Sequence, residues 1–194
     1  MRKISLLALL VSFSIFCPPA WAATFKVDPD HTTVEFKIRH LFSYVRGTFN
    51  EFEGTFDYEA GKPESWKAQG MIIASSIDTR VAPRDNHLRS KDFFEVETYP
   101  TIDFKATKVT DAIGDTAKVH GLLKIHGVEK PVVLTVVVHG VAKDPWGTIR
   151  AGLTATTTIN RKDFGLTWNE VLETGQVLVG DEVEITVEVE GIAR

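Results

Sequence analysis

The sequence predicts an all-β protein with one short helix, built as an antiparallel barrel or sandwich of about eight strands. Three observations lead to this prediction. Apolar and polar side chains alternate with a period of two in one segment after another. The connections between these segments are short, and no repeated helical spacer separates them, as a parallel sheet would require. Alternation does not distinguish a barrel from a sandwich, although only a barrel encloses a ligand.

The amino-terminal segment stands outside this pattern. Arg2 and Lys3 give a positively charged start, an uncharged apolar run follows to residue 16, and small residues occupy positions 20 and 22. This arrangement is typical of a Sec-type signal peptide. We therefore predict a signal peptide at residues 1–22 with cleavage after Ala22, a periplasmic location, and one domain spanning residues 23–194. Lipid attachment at Cys17 is the alternative, and the bulky residue before this cysteine argues against it.

Composition and charge exclude several classes of function. Cys17 is the only cysteine, so the processed protein would contain no disulfide, and its stability must come from its core. The formal net charge of −4 becomes −6 when Arg2 and Lys3 leave with the signal peptide. A negative charge argues against nucleic acid and against an anionic membrane surface as partners. No apolar segment after Ala22 is long enough to span a bilayer, so we expect no stable membrane insertion.

The clearest strands lie at the two ends of the predicted domain. Residues 32–40 place Val34, Phe36 and Ile38 on one face and polar side chains on the other. Residues 182–190 alternate valine and isoleucine with glutamate and threonine almost without interruption. Each pattern predicts a strand with one face in the core and the other in solvent.

Four further segments alternate in the same way, at residues 102–107, 119–126, 132–139 and 149–159. Residues 127–131 contain glycine and proline and predict a hairpin connection. The stretch 45–58 changes phase partway, which predicts a bulge near residues 50 and 51. Residues 83–91 begin with proline and lack β-branched side chains, so they predict the short helix.

The positions predicted to face the interior are rich in phenylalanine. They are Phe36, Phe42, Phe49, Phe52, Phe56 and Phe104, with Phe93 and Phe94 after the helix. An aromatic lining favours a long apolar ligand. The alternative is that the rings simply fill a core, and periodicity alone does not decide between the two.

The sequence offers no catalytic or metal-binding motif. It contains no Gly-x-Ser-x-Gly elbow, phosphate-binding loop, His-Glu-x-x-His pair or paired cysteines. We therefore predict no enzyme, no catalytic residue and no metal site. His120, His126 and His139 fall on the outward positions of their strands and are predicted to be solvated. His40 and His87 adjoin phenylalanine-rich segments and are the histidines expected near a barrel mouth.

Four segments together resemble one known family, namely HLFSYVRGTF at 40–49, RDNHLRSKDFF at 84–94, YPTIDF at 99–104 and NRKDFG at 160–165. Through these segments the chain resembles, over residues 25–191, the YceI-like family of secreted, lipocalin-like, polyisoprenoid-binding proteins. The resemblance implies an extended antiparallel eight-stranded lipocalin-like barrel. It also implies that the interior holds a polyisoprenoid or similar amphiphile in the periplasm, by binding and without established catalysis.

The matched segments supply the candidate ligand-binding residues. The resemblance implies that the apolar ones line the barrel and that the polar ones cap it. They are His40, Phe42, Val45, Phe49, Arg84, His87, Leu88, Phe93, Phe94, Phe104, Phe164 and Trp168.

The leading hypothesis is a carrier or reservoir for a long-chain isoprenoid lipid, such as a quinone or a polyprenyl phosphate, with no cofactor. One alternative is a stress-related structural or interaction protein with a filled core. Another is a lipid-modifying enzyme that uses His40 or His87 with Asp85 or Asp92 as acid and base. Edge strands left by an imperfect barrel closure would support a homodimer.

Overall fold

The computed structural model describes residues 23–173 and 175–194, so the predicted signal peptide lies outside the described residues. Within those ranges the chain forms eleven strands, four short 3-10 helices and one α-helix, α1 (Ala82–Arg89). No helix in this described part is long and apolar enough to cross a membrane. The strands are β1 (Ala23–Val27), β2 (Thr33–His40), β3 (Ser43–Phe49), β4 (Phe52–Tyr58), β5 (Lys67–Ile73), β6 (Ile77–Asp78), β7 (Thr101–Ile113), β8 (Thr116–Ile125), β9 (Val128–Lys143), β10 (Ile149–Asn160) and β11 (Val179–Ala193).

The strands close into an eight-stranded antiparallel barrel, which confirms the predicted fold class. Three barrel strands are each made of two short pieces, because β1 continues into β2, β3 into β4, and β5 into β6. Each barrel strand pairs with the next one along the chain. The ring closes where β11 pairs with both β1 and β2.

The predicted phase change in the second barrel strand lies where β3 ends and β4 begins, at residues 50 and 51. Phe49 is opposite Val34, whereas Thr55 is opposite Lys26, so the pairing register differs between the two halves. This irregularity keeps the apolar residues of both halves directed at the interior.

The predicted connection at residues 127–131 is wrong in length. Only His126 and Gly127 join β8 to β9, and both have positive φ angles, 51° and 75°. Two such residues form the tight turn whose twist matches that of the paired strands. Pro131 therefore lies within β9, opposite Leu122, instead of in a loop.

The barrel has two chemically different ends. The β2–β3 turn, the segment from β6 to β7 that contains α1, the β8–β9 turn and the segment from β10 to β11 lie at one end, which we call the helix end. The β4–β5, β7–β8 and β9–β10 connections and the ends of the barrel chain lie at the opposite end, which we call the terminus end. There the rings of Phe25 and Phe56 stack with their centroids 5.1 Å apart.

Arg150 ties three elements together at the terminus end. Its guanidinium donates hydrogen bonds to Asp28 (2.7 Å), Asp144 (3.0 Å) and Glu190. The bond from Arg150 is the main reason that the pKa of Asp28 lies below its usual value, because it stabilises the charged carboxylate. Asp28, His31 and Glu190 place atoms of the metal-ligating kind within 4.8 Å of one another. The Arg150 guanidinium already neutralises the carboxylates of Asp28 and Glu190, so these residues can lie close together without a metal ion.

Candidate ligand cavity and its mouth

A cavity of about 670 Å³ runs through the barrel interior. Its volume lies in the range of roughly 300 to 1,000 Å³ that is usual for small-molecule sites. Inward-facing side chains of β2, β7, β8, β9, β10 and β11 form its walls, and most of them are aliphatic. The positions that alternation predicted to face inward on β9, from Val132 to Val138, and on β11, from Val183 to Val189, all border this cavity.

The cavity extends to the terminus end, where two large aromatic side chains border it. The rings of Tyr58 and Trp66 lie 5.0 Å apart, and the Trp66 Nε1–H donates to the Glu59 carbonyl oxygen at 2.9 Å. Burial raises the pKa of the Tyr58 hydroxyl above its usual value. Both side chains present apolar surface to the cavity while their polar groups remain hydrogen-bonded or neutral.

At the helix end, three rings form one cluster at the edge of the cavity. The His87 ring lies edge-on to Phe93 at 5.1 Å and to Trp168 at 4.9 Å, and Phe93 and Trp168 are themselves 5.1 Å apart. The His87 Nε2 atom is 2.9 Å from a carboxylate oxygen of Asp92, and 41% of the side chain is exposed. This partly exposed residue therefore borders both solvent and the cavity interior.

Arg84 lines the same end of the cavity from the first turn of α1. Its Nε donates to the Thr79 hydroxyl at 2.7 Å, and its Nη2 donates to the Thr79 carbonyl oxygen at 3.0 Å. Thr79 is held in turn by the buried carboxylate of Asp85, which accepts from the Thr79 backbone N–H at 2.9 Å. Among the described residues, Arg84 forms no ion pair within 4.0 Å, so its positive charge is oriented but not neutralised by a carboxylate. We call His40, Arg84, His87 and Trp168 the mouth.

Arg161 holds Trp168 in the mouth, and sequence reasoning missed it. Only 3% of Arg161 is exposed, and its guanidinium donates to the carbonyl oxygens of Leu166, Trp168 and Gly180. Burial lowers the pKa of this guanidinium from its usual value. The sequence feature that could have indicated Arg161 is its position just after β10, within the segment 160–165 that resembles the family.

Ten of the twelve predicted site residues border the cavity, and two do not. The ten are His40, Val45, Phe49, Arg84, His87, Leu88, Phe93, Phe94, Phe104 and Trp168. Phe42 was wrongly placed inside: it is 83% exposed because it follows Leu41 in the tight β2–β3 turn, where strand alternation no longer applies. Phe164 is 2% exposed but packs in the core beside Ile159 and Leu166, outside the cavity lining.

The outward histidines are placed correctly with one exception. His120 and His139 hydrogen-bond to Thr110 and Thr154 on neighbouring strands of the outer face. His126 is not solvated as predicted: it packs at 4.5 Å against the Tyr99 ring in the β8–β9 turn, and its side chain is 18% exposed. A sequence pattern within one strand does not reveal that the segment after α1 covers this turn.

Comparison with known proteins assigns the family. The sequence profile of the YceI-like domain matches residues 25–191. The chain belongs to the YceI-like family. A UPF0312 protein of Pseudomonas savastanoi pv. phaseolicola is 42% identical over 170 residues, which cover 86% of this chain and 88% of that one. A UPF0312 protein of Pseudomonas aeruginosa is 39% identical and is covered over its whole length.

Solved YceI-like structures share the barrel. The Campylobacter jejuni YCEI protein superimposes with a TM-score of 0.69 at 30% identity, covering 80% of this chain and 90% of that one. BcnA of Burkholderia cenocepacia superimposes with a TM-score of 0.75 at 24% identity, covering 84% and 98%. A polyisoprenoid binding domain from Saccharophagus degradans, implicated in plant cell wall breakdown, has a TM-score of 0.65 at 16% identity, covering 90% and 100%. The last two likenesses establish the fold alone.

The family assignment points to a binding protein rather than to an enzyme. Asp85, one of the acids considered for the enzyme alternative, is buried and accepts its hydrogen bonds from Thr79. His87 and Asp92 do contact each other, but both are partly exposed at the edge of the mouth.

Proposed function

We propose that this YceI-like protein is a periplasmic carrier that holds a long-chain isoprenoid, or a similar amphiphilic lipid, inside its barrel. The observation that carries the proposal is the continuous apolar cavity of about 670 Å³. A core filled by its own phenylalanines, the alternative considered above, would leave no such space. The polyisoprenoid binding domain of Saccharophagus degradans shares this barrel and supports the choice of ligand class.

The amino-terminal residues support the proposed location. We propose that residues 1–22 direct export and are removed, so that the processed chain begins at the first residue of β1. An exported carrier would handle lipid between membranes, where a lipid with a long apolar chain cannot diffuse alone.

The free energy of binding is set by a comparison with the bilayer and not with water. Burying a chain of about forty carbons at roughly 0.8 kcal/mol per methylene would release about 30 kcal/mol relative to water. That exceeds the limit of about 20 kcal/mol seen for noncovalent complexes. Because such a lipid starts in a membrane, its apolar transfer nearly cancels, and contacts to the head group decide selectivity.

The mouth offers those contacts, and Arg84 is the strongest of them. Its guanidinium is oriented by Thr79, and its positive charge would bind an anionic head group such as a polyprenyl phosphate. We expect Arg84→Gln to weaken binding of a polyprenyl phosphate by about tenfold to a hundredfold, since one charge-assisted contact is lost. Binding of a neutral quinone should change little, and both affinities are measurable by quenching of the intrinsic tryptophan fluorescence, because Trp66 and Trp168 both border the cavity.

Lys91→Gln is the matched control, because Lys91 is exposed just after α1 and lies outside the cavity lining. If both variants weakened binding equally, the effect would be one of general charge and not of the mouth. If Arg84→Gln left phosphate binding unchanged, Arg84 would not contact the head group.

The direct test of the carrier function is to purify the processed protein from a periplasmic extract without detergent and to analyse its organic extract by mass spectrometry. We expect an isoprenoid lipid in near-stoichiometric amount. An empty protein that also gains no thermal stability from added quinone or polyprenyl phosphate would contradict the proposal, because a ligand that binds only the folded state must stabilise it.

A further inference from the structure

Exposed apolar side chains surround the mouth at the helix end. Phe42 is 83% exposed in the β2–β3 turn, and Val171 and Val177 are 67% and 50% exposed in the segment before β11. Tyr44 on β3 and Val81 just before α1 are also exposed. We call these five residues the rim. Single exposed apolar residues are ordinary on protein surfaces, but a cluster on one end indicates a contact surface.

The rim is held together by backbone contacts and is not a set of unrelated loops. Val171 and Val177 face each other across a short antiparallel bridge. The next residue, Leu178, accepts a hydrogen bond from the backbone N–H of Leu41 at 3.0 Å. Phe42 and Val177 each precede or follow one of these two bonded residues, so the β2–β3 turn and this hairpin are adjacent at the helix end.

The rim is continuous with the cavity. Each of its three segments adjoins residues that line the interior: His40 precedes the turn, Pro83 and Arg84 follow Val81, and Leu178 follows Val177. At the terminus end, the β4–β5 connection also lines the cavity, through Trp66. The exposed apolar residues there, Ile113 at 79% and Trp146 at 85%, lie instead at the connections β7–β8 and β9–β10, which contribute no lining residue among those described.

We infer that the rim docks the protein on a phospholipid bilayer, with the mouth against the membrane, so that lipid passes into the barrel without crossing water. This inference rests on the proposed carrier function. An apolar rim around an apolar cavity removes the water barrier that would otherwise separate the lipid chain from its site. A bilayer is the occupant because it is the phase that holds such a lipid before binding.

Cations lie beside the tyrosine of the rim. Arg39, Arg46 and Arg80 are exposed at this end and form no ion pair among the described residues. Arg39 and Lys37 flank the Tyr44 ring, at 5.1 and 4.3 Å from its centroid. An amphipathic tyrosine beside cations is typical of the membrane interface.

Acidic residues lie at the same end. Glu182 lies near the start of β11, and Glu184 forms an ion pair with Lys37 at 2.7 Å. Glu170 and Glu173 are exposed in the same hairpin as Val171 and Val177. Because these carboxylates offset the cations, apolar contact should dominate docking, which should be reversible and only weakly sensitive to salt.

Flotation with lipid vesicles tests the inference. The processed protein is mixed with vesicles of phosphatidylethanolamine and phosphatidylglycerol, or of phosphatidylcholine alone, and the bound fraction is measured after centrifugation. We expect comparable binding to both, with little effect of salt, because apolar contacts dominate. Replacing Phe42 and Val177 together by serine should lower the partition coefficient about tenfold or more, because two apolar contacts are lost.

Trp146→Ser is the matched control, since it removes the most exposed tryptophan from the terminus end. It should leave vesicle binding unchanged. The rim variant should keep its thermal stability, because both replaced side chains are exposed. It should acquire less lipid in cells, because docking is the route by which lipid enters the barrel. Equal losses in the rim variant and in Trp146→Ser would overturn the inference, as would a parent protein that ignores both kinds of vesicle.

The outcomes separate docking from the carrier function. If the purified protein contains lipid but does not bind vesicles, the carrier function is supported and docking is contradicted. If vesicle binding depends on the rim but the protein extract contains no isoprenoid, docking is supported and the carrier function is contradicted. If the rim variant failed to acquire lipid in cells while the parent ignored vesicles, the rim would contact a protein and not a bilayer.

Discussion

Phe25→Ala is expected to lower the free energy of unfolding by about 3 to 5 kcal/mol, the usual cost of removing a buried aromatic ring. Phe25 is fully buried, stacks on Phe56 and lies against Gly191 on β11. A Cβ atom added to Gly191 would lie 2.9 Å from the Phe25 Cβ, so the strands around this ring are already in close contact. They have little freedom to close over the cavity that the substitution would leave.

The expected loss is measurable by urea or thermal unfolding of the ligand-free protein. For a domain of this size, such a loss lowers Tm by about 10 °C or more. Phe42→Ala is the control, because the same change at an 83% exposed residue should alter stability by less than about 0.5 kcal/mol. Comparable losses in the two variants would mean that β1 does not close the barrel as the structure describes.

The strand that contains Phe25, β1, was not predicted from the sequence. Phe25 alternates with Thr24 and Lys26, yet β1 has five residues and ends before a proline, too short for a clear pattern. β5 was missed for another reason. Its inward residues include Ala68 and Gly70, which carry little or no apolar side chain, so its alternation is nearly invisible.

The long strands were predictable because one face of each strand lies against the apolar interior and the other face lies in water. From Val132 to Val138 on β9 and from Val183 to Val189 on β11, the inward positions are valine, leucine or isoleucine, and each of these borders the cavity. The pattern nevertheless could not show that the interior is hollow, since a filled core and a lined cavity need the same apolar residues. Whether space remains depends on the shear and tilt of the closed barrel, which are properties of the whole ring.

The candidate site was predictable where it lies on strands and on α1. His40 and Phe104 follow from strand alternation, and Arg84 and His87 from the helix and from the family resemblance. Phe42 failed because a tight turn reverses the side-chain direction that a strand would impose. Arg161 was missed because its function is to satisfy carbonyl oxygens of a loop, a contact that leaves no periodic trace in the sequence.

Ala155→Trp is expected to remove most of the lipid from the purified protein, lowering the molar ratio of lipid to protein by about tenfold or more. Ala155 lines the cavity from β10, opposite Val136 on β9 and Val187 on β11. An indole ring here would project into the apolar space and block the lumen. The cavity itself gives the ring room, so the cost of overpacking should stay near or below about 1 to 3 kcal/mol.

Thr156→Trp is the matched control, because it places the same indole ring on the outer face of β10. Thr156 is exposed on the outer face of β10, between Thr135 and Thr186, and its variant should retain the lipid. Ala155→Leu provides a smaller obstruction and should give an intermediate ratio if the lipid occupies this part of the lumen. Full retention of lipid in a folded Ala155→Trp variant would place the lipid outside this part of the lumen. Equal loss in Thr156→Trp would attribute the effect to the stability of β10 and not to the volume of the cavity, because only one of the two rings points inward.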